Sequence, residues 1–428
     1  MPAIDNYFRI LSEAGGSDLH LSPDEQPLMR LHGRLQPVQE GHPPLSTPEL
    51  ERLFEEIMPQ PNREQFADEN DTDFAYEIRG LARFRANIFR ERKGVGAVFR
   101  IIPSDILTAE KLGLSSAILE LCYLTKGLVL VTGPTGSGKS TTLCAMIDYI
   151  NRNRDDHIIT IEDPIEFVHE NKRCLINQRE VGPHTTGFKR ALKAALREDP
   201  DIILVGEMRD LETIAIAIEM AETGHLVFGT LHTSTAASTV DRIVDQFPPE
   251  QQNQIRTMLA ESLKGVISQT LCRTVNGKGR RAALEVLLCN AAVSSNIREG
   301  KTHQIPLAMQ TGRKLGMVSL NDALLDLVKD GVVAADEAYA KAVEKGSIEK
   351  EFERLKIPFV KPGKDTAAPA PAAPARPSGG GGGGAPASRP PAPRPQPAAR
   401  PAAPPPPSRQ PAPPPAAAAQ EKKRGWFS

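Results

Sequence analysis

The sequence predicts an α/β protein with two folded domains, the second built on a mainly parallel sheet, followed by a tail without regular structure. Three observations predict this. Strand-like runs alternate with helical segments in the middle of the chain, a glycine-rich loop joins one such strand to a helix, and the composition changes abruptly near Pro358. The chain of 428 residues also exceeds the usual size of one domain.

The smaller first domain is expected over residues 1–103. A helix is predicted from Ile4 to Ala14, and Leu28–Leu31 is typical of a short strand. We expect an interdomain linker over 104–112.

A β-hairpin is predicted near the end of this domain. Arg83–Phe89 alternates polar and apolar residues, as a half-buried strand does, and Ala97–Ile102 forms the next strand before Pro103. Gly94-Val95-Gly96 is expected to supply the turn. The hairpin therefore presents arginines on one of its faces.

The second domain is expected over residues 113–358. Its predicted strands are Leu128–Val131, His157–Ile161, Asp201–Val205 and Leu226–Thr230. Because helical segments separate them, the strands are expected to run parallel. Ligands of such sheets gather at the carboxyl ends of the strands.

Composition narrows the class of protein. The net charge of −1 gives no global attraction to nucleic acid or to an anionic membrane, so no nucleic-acid partner is expected. The five cysteines are scattered without a C-x-x-C pair, which favours a reducing compartment over a disulfide framework or a zinc site. The amino terminus does not resemble a signal peptide, and no apolar run approaches the ~20 residues of a membrane span. A cytoplasmic protein is expected.

The tail, residues 359–428, is rich in Pro, Ala and Gly and is expected to be disordered. It is basic, because no acidic residue occurs between Asp365 and Glu421. It ends in three cations followed by Gly425, Trp426, Phe427 and Ser428. This end is either simply solvated or a short docking motif for a partner or an anionic surface.

The strongest motif is a G-x-x-x-x-G-K-[ST] match that lies between a buried strand and a helix. Its predicted nucleotide-binding residues are Gly133, Pro134, Thr135, Gly136, Ser137, Gly138, Lys139, Ser140 and Thr141. The loop amides and the helix amino terminus favour phosphate. Lys139 is expected to bridge the β and γ phosphates and Ser140 to ligate Mg²⁺. ATP and Mg²⁺ are therefore the expected substrate and cofactor.

Polar residues follow three of the other predicted strands. Glu207 is placed to hold Mg²⁺, directly or through water, or to orient the attacking water, and Glu166 to act as general base. For His225 and His232 two interpretations stay open, a buried residue that holds a loop and a sensor of the γ-phosphate. Arg209 is a further candidate sensor.

These segments resemble a known family. The matching segments are Gly133–Thr142, Thr160–Glu170, Gln178–Val181, Leu196–Asp210 and Ala221–Thr233. They are similar to the Walker A, Asp box, Walker B and His box of the secretion ATPases, and most similar to the type IV pilus retraction (PilT) family. The resemblance covers roughly residues 1–355.

The resemblance implies a PAS-like amino-terminal domain joined to a RecA-like P-loop ATPase domain, assembled as a homohexamer with ATP between the domains. It implies that Glu166 is the catalytic glutamate and Glu207 the Walker B glutamate, with His225 and His232 in the His box. Arg85 and Arg100 match arginines that reach the nucleotide when the domains close. Such a clamp is also sound chemistry for phosphoryl transfer.

The function implied is a motor that couples ATP hydrolysis to type IV pilus retraction, in twitching or gliding motility. Its expected partner is a pilus platform protein at the inner membrane, and a PilU-like or extension ATPase is a further candidate. The stretch Ala292–Glu299 keeps only the ends of the retraction motif A-I-R-N-L-I-R-E. This departure and the tail leave open a PilU-like accessory or a regulatory nucleotide-binding ring that acts through its tail. A DNA or protein secretion motor shares the same chemistry.

Overall fold

The computed structural model describes residues 2–31, 33–102, 106–277 and 279–359. The predictions made for the tail, apart from Phe359, lie outside the described residues, and so does the start of the predicted linker, residues 104 and 105.

The amino-terminal region forms a six-stranded sheet covered by helices. Its strands are β1 (Asp18–Leu21), β2 (Leu28–Leu31), β3 (Arg34–Pro37), β4 (Asp71–Ile78), β5 (Ala82–Glu91) and β6 (Gly94–Ile102), and its helices are α1 (Asp5–Glu13), α2 (Thr47–Glu55) and α3 (Gln60–Glu69). The order is β3-β2-β1-β6-β5-β4, and neighbours are antiparallel. Phe8 of α1 stacks on Phe84 of β5 with ring centroids 4.2 Å apart, so aromatic packing fixes α1 on the sheet.

The predicted hairpin is present, but the position predicted for its turn was wrong. Glu91 pairs with Gly94 and Phe89 with Gly96, so the glycines belong to strand β6 and the turn is Arg92-Lys93. Gly96 packs closely, because a Cβ there would lie 3.1 Å from the Phe89 ring, which would have to shift. The register also places Arg85 directly opposite Arg100, so these two side chains share one face.

The second region is built on a seven-stranded sheet. Its strands are β7 (Gly127–Thr132), β8 (His157–Glu162), β9 (Leu175–Glu180), β10 (Ile202–Val205), β11 (Leu226–Leu231), β12 (Leu263–Arg273) and β13 (Arg280–Leu288), in the order β13-β12-β7-β11-β10-β8-β9. The pairs from β12 to β9 are parallel, and β13 is antiparallel to β12. The predicted α/β class and the parallel arrangement of the four predicted strands are confirmed.

Helices cover both faces of this sheet. They are α4 (Ala109–Leu112), α5 (Ser116–Leu121), α6 (Lys139–Asn153), α7 (Phe188–Ala195), α8 (Leu211–Thr223), α9 (Ala236–Val244), α10 (Pro249–Ser262), α11 (Ala291–Arg298), α12 (Ile305–Thr311), α13 (Leu320–Lys329), α14 (Ala335–Lys341) and α15 (Lys345–Leu355), with 3₁₀ turns at Thr302–Gln304 and Gly312–Leu315. Within the described ranges, no helix combines the length and the apolar character that crossing a membrane requires.

Strand β7 shows why this sheet is buried on both sides. Leu128 and Leu130 pack with the helices of one face, whereas Val129 and Val131 pack with α5 and α6 on the other. All six residues of β7 are buried. This explains its continuous apolar sequence, which is typical of a central parallel strand.

The predicted linker is partly folded. Its last residues form α4, in which Ala109 is fully buried. The Glu110 carboxylate of α4 forms an ion pair with the Arg152 guanidinium of α6, with a nitrogen–oxygen distance of 3.2 Å. The second region thus begins structurally a few residues before Gly113.

The carboxyl-terminal helices α13, α14 and α15 pack on the ends of β12 and β13 around Leu324 and Phe352. Glu285 of β13 ties them to the centre of the domain. One of its oxygens accepts the Ala236 amide of α9 at 2.6 Å, and the other accepts the Leu320 amide of α13 at 3.2 Å. Burial raises the pKa of Glu285, and the two amides offset part of that rise.

We expect Glu285→Ala to destabilise the second domain, because it leaves two buried amides without an acceptor. An unsatisfied buried group costs about 1–3 kcal/mol, so the free energy of unfolding in urea should fall by at least that amount. Glu285→Gln should cost less, since its amide oxygen can still accept one of the two hydrogens. Glu299→Ala, at an exposed glutamate, is the control. Equal stability of Glu285→Ala and the control would contradict the bridging role.

Candidate nucleotide site

The glycine-rich loop leaves the carboxyl end of β7 and enters the amino terminus of α6. Gly133 has φ +146°, and a Cβ there would lie 2.3 Å from the Gln269 carbonyl oxygen, so only glycine fits. Gly138, with φ +91°, is the residue that caps the 15-residue helix α6. Backbone amides at such a helix start bind anions, because their N–H groups are free and the helix dipole is positive there.

Side chains from neighbouring strands support the loop from below. The Gln269 amide of β12 donates to the Ser137 carbonyl at 2.6 Å, and both residues are buried. Thr132, the last residue of β7, shares a hydrogen bond of 2.8 Å with Ser268. Thr239 lies 3.5 Å from Thr132 and 2.7 Å from Thr233, so a chain of hydroxyls joins this strand to the segment after His232.

Lys139 is folded back over the loop. Its Nζ donates to the Gly133 carbonyl at 3.0 Å and to the Pro134 carbonyl at 3.4 Å. Burial lowers the pKa of Lys139, and the carboxylates of Glu207 and Glu166 counteract part of that shift. The ammonium therefore lies at the loop. When a nucleotide binds, its phosphate oxygens can replace the two carbonyls as hydrogen-bond acceptors of Lys139.

A large cleft opens above the loop, with a volume of about 1360 Å³. The predicted nucleotide-binding residues on its wall are Thr135, Gly136, Gly138, Lys139, Ser140, Thr141, Arg85, Arg100 and His232. The remaining three, Gly133, Pro134 and Ser137, do not line it. Gly133 and Ser137 lie in the base of the loop, and Pro134 faces a smaller cavity beside Arg273.

Glu207 lies two residues beyond β10, on the cleft wall. Arg209 binds the Glu207 carboxylate through two nitrogens: Nε lies 2.5 Å from Oε1, and a terminal nitrogen lies 2.7 Å from Oε2. His232 Nε2 lies 2.9 Å from Oε1. Burial alone would raise the pKa of Glu207, but the hydrogen bonds and charges of Arg209 and His232 outweigh it and hold the pKa below its ordinary value. Glu207 is therefore ionised, as a ligand for a divalent cation must be.

The segment after β8 carries two carboxylates. Glu166, the candidate general base, is exposed on the cleft wall. Glu162, the last residue of β8, was not predicted as a site residue. It accepts from Thr160 Oγ1 at 2.6 Å, from Gln178 Nε2 at 3.2 Å and from the Glu166 amide at 3.4 Å.

Glu162 also has an altered acidity. Burial raises its pKa, while the bonds from Thr160 and Gln178 counteract part of the rise. Its backbone packs against Gly206, the residue after β10, because a Cβ on Gly206 would lie 3.2 Å from the Glu162 Cα. A raised carboxyl pKa in a cleft is a mark of functional sites, so Glu162 is a second candidate base. Its position at the end of a parallel strand was the signal available in the sequence.

The two histidines are in different places. His232 follows β11 directly and reaches Glu207 at the carboxyl edge of the sheet. His225 precedes β11, and its Nδ1 lies 3.1 Å from the Met220 carbonyl at the end of α8. One strand, about 20 Å, separates it from that edge. The candidate role of His225 as a phosphate sensor in its own chain is therefore not supported, and the alternative of a histidine that holds a loop fits its position.

The arginines of the amino-terminal hairpin face the cleft from the other side. Arg85 lies 3.8 Å from Asp73 and Arg100 lies 2.8 Å from Asp18, and both arginines are exposed. Arg83, which the sequence reasoning did not single out, is largely buried and pairs with Glu180 of β9 at 2.5 Å. It joins the two regions across the cleft wall.

Comparison with known proteins agrees with this geometry. Residues 4–340 match the family model described as Type II/IV secretion system protein. The chain belongs to this family.

Among its relatives, this secretion-family chain is 53% identical over 331 residues to the type IV pilus retraction ATPase PilT of Pseudomonas aeruginosa, covering 77% of this chain and 95% of that protein. It is 40% identical over 338 residues to the type IV pilus ATPase PilU of the same organism, covering 79% and 88%. A crystal structure of the pilus retraction motor PilT with bound ADP matches 80% of this chain and 98% of its own, with 45% identity and a TM-score of 0.75. The resemblance to the PilT family is confirmed.

We expect Arg209→Ala to shift the acid limb of the pH–rate profile of ATP hydrolysis to higher pH. Arg209 holds the pKa of Glu207 down, so its removal lets burial raise that pKa, and the carboxylate then forms only at higher pH. Arg209→Lys keeps the charge without the two-nitrogen grip and should give a smaller shift. An unchanged acid limb in Arg209→Ala would mean that Glu207 ionisation does not limit the reaction.

Proposed function

We propose that this chain is a motor ATPase that couples ATP hydrolysis to retraction of a type IV pilus. The observation that carries the proposal is the cleft itself: a phosphate-binding loop, ionised Glu207 and the hairpin arginines face one space. The 53% identity with PilT over 95% of that protein supports the output as well as the chemistry.

Nucleotide binding is assigned to the loop and to Lys139. The loop amides and the start of α6 supply positive potential, and the Lys139 ammonium can exchange its carbonyl partners for phosphate oxygens. The PilT structure used for comparison contains ADP, which supports a nucleotide in the same cleft here.

Ser140 and Glu207 are the residues that would hold Mg²⁺. They fit, because Ser140 opens α6 beside the loop and Glu207 is an ionised oxygen donor on the same wall. When bound, the ion would neutralise charge that develops on the phosphates. His232 and Arg209 hold the Glu207 carboxylate in position and keep it charged.

Glu166 is the proposed general base, with Glu162 as the second candidate. Glu166 is exposed to the cleft, whereas the oxygens of Glu162 are occupied by Thr160, Gln178 and the Glu166 amide. An exposed carboxylate with free lone pairs accepts a proton from water more readily than one already saturated with donors. Glu162 then orients the segment that carries Glu166.

Arg85 and Arg100 are proposed to stabilise charge on the transferring phosphoryl group. Among the described residues they pair with carboxylates of their own region, Asp73 and Asp18, and both side chains are exposed on the cleft wall. Closure of the amino-terminal region over the nucleotide would bring them to the phosphates. We propose that this closure operates in a homohexamer, on the cytoplasmic face of the membrane, against a pilus platform protein.

A PilU-like accessory role is the second candidate. Ala292–Glu299 departs from the retraction motif, and the structure places it largely in helix α11, where Val293 and Ile297 are buried. The identity is lower to PilU, at 40%, than to PilT, at 53%. A deletion strain separates the two roles: loss of pilus retraction supports the main motor, whereas retained retraction supports the accessory role.

Lys139→Ala should abolish most ATP hydrolysis. Removing one positioned donor to developing oxyanion charge costs roughly 100-fold or more in turnover, and no second lysine lines the cleft within the part of the chain that the structure describes. Phosphate release by the purified protein measures this. Lys329→Ala, at an exposed lysine of α13, is the control and should keep full activity. Turnover of Lys139→Ala within a few-fold of wild type would remove the basis of the ATPase proposal.

Glu166→Gln should bind ATP normally and hydrolyse it about 100- to 10,000-fold more slowly, because the amide cannot accept a proton. Binding and single-turnover hydrolysis are measured separately. Glu170→Gln, on the same segment and exposed, is the matched control. If Glu162→Gln loses turnover to this extent while Glu166→Gln keeps it, the base is Glu162.

A further inference from the structure

The ion pair between Arg83 and Glu180 connects the amino-terminal sheet to the ATPase sheet. A terminal guanidinium nitrogen lies 2.5 Å from Glu180 Oε2, and the two side chains are only 16% and 3% exposed. Arg83 belongs to β5 and Glu180 ends β9, the edge strand of the second sheet. This largely buried pair connects the two regions at one defined point.

Glu180 has a second partner at the site. The same oxygen, Oε2, accepts the Ile165 amide at 3.1 Å. Ile165 is buried and directly precedes Glu166, the proposed base. One carboxylate oxygen therefore holds both a guanidinium of the amino-terminal region and the backbone of the segment that positions the base.

The surroundings make this connection stiff. Glu180 pairs with Glu162 in the parallel register of β8 and β9, and the Val181 amide donates to the Glu162 carbonyl at 2.9 Å. The Glu180 amide donates to His184 Nδ1 at 3.0 Å. Movement of the Glu180 side chain is thus passed to the 163–166 segment rather than absorbed by a loose strand end.

The placement of Glu180 depends on the charge of Arg83. Glu180 is almost fully buried, and Arg83 is the cation that compensates it. When the amino-terminal region moves away, Glu180 loses this cation, and the Ile165 amide is the hydrogen-bond donor to its side chain that remains among the described residues. Removing one partner of such a pair is unfavourable to the extent that the remaining charge stays shielded from water. The buried Nε of Arg83 has no hydrogen-bond partner among the described residues, so Glu180 dominates its placement.

We propose that Arg83 and Glu180 are positioning residues that couple docking of the amino-terminal region to placement of the Glu166 segment. Arg85 and Arg100, which are exposed, would contact the nucleotide. Arg83 instead holds Glu180, and Glu180 positions the segment that carries Glu166, only when the amino-terminal region is docked. Hydrolysis then proceeds only when the cleft is closed. The proposal rests on the proposed ATPase function for its catalytic consequence, but not for its structural one.

The structural consequence is tested by hydrogen exchange on the full-length protein. In Arg83→Gln, exchange in a peptide covering residues 163–166 should be faster than in wild type, because the acceptor of the Ile165 amide loses its anchor. Arg173→Gln removes an exposed arginine–carboxylate pair, Arg173–Asp155, and should leave this peptide unchanged. Unchanged exchange in folded Arg83→Gln overturns the proposal. If Arg83→Gln does not fold, Arg83→Lys is used, with a smaller increase expected.

The catalytic consequence is tested by kinetics. Arg83→Gln should lower kcat on the order of 100-fold, the effect of a misplaced group, with ATP affinity nearly unchanged because the phosphate loop is untouched. Glu180→Gln should act similarly, and the double variant should be no worse than either single one. Additive effects, or equal losses of affinity and kcat, overturn the coupling. An inactive wild type would contradict the proposed function and leave the exchange test intact.

Discussion

The parallel register of the seven-stranded sheet is the constraint on which the site depends. Strands β7, β11, β10 and β8 run side by side in the same direction, so their carboxyl ends share one edge. The phosphate loop, His232 and Glu207 each begin within two residues after one of these ends, and Glu162 is the last residue of β8. Residues separated by up to a hundred positions in sequence become neighbours through strand pairing alone.

The glutamates of the cleft differ in their burial and in the charged groups beside them. Among the described residues, five glutamates line it, Glu77, Glu162, Glu166, Glu180 and Glu207, and they range from exposed to buried. Glu207 is kept ionised by Arg209 and His232, Glu180 is compensated by Arg83, and Glu162 is pushed toward its protonated form by burial. Carboxylates with different environments can take different roles in one reaction, which is how proteins separate metal binding from proton transfer.

The amino-terminal region forms part of the cleft wall. Its hairpin contributes one largely buried arginine, Arg83, which pairs with Glu180, and two exposed arginines, whose ion pairs among the described residues are with aspartates of the same region. These different contacts are suited to a motor, because the chemistry at the nucleotide must depend on the position of the domains if hydrolysis is to drive movement. The carboxyl-terminal helices are tied in by another buried glutamate, Glu285, which spans the starts of α9 and α13.

The sequence by itself determined the parallel α/β domain, the phosphate loop and the candidate carboxylates, because buried parallel strands are continuously apolar and the loop motif is local. Only the tertiary structure decided the rest. It moved the hairpin turn to Arg92-Lys93, since register depends on cross-strand pairing that no local pattern specifies. It placed His225 a strand's length from the loop although it is close to His232 in sequence. It also joined Arg83 to Glu180, a contact between strands 97 positions apart that arises only when two sheets pack together.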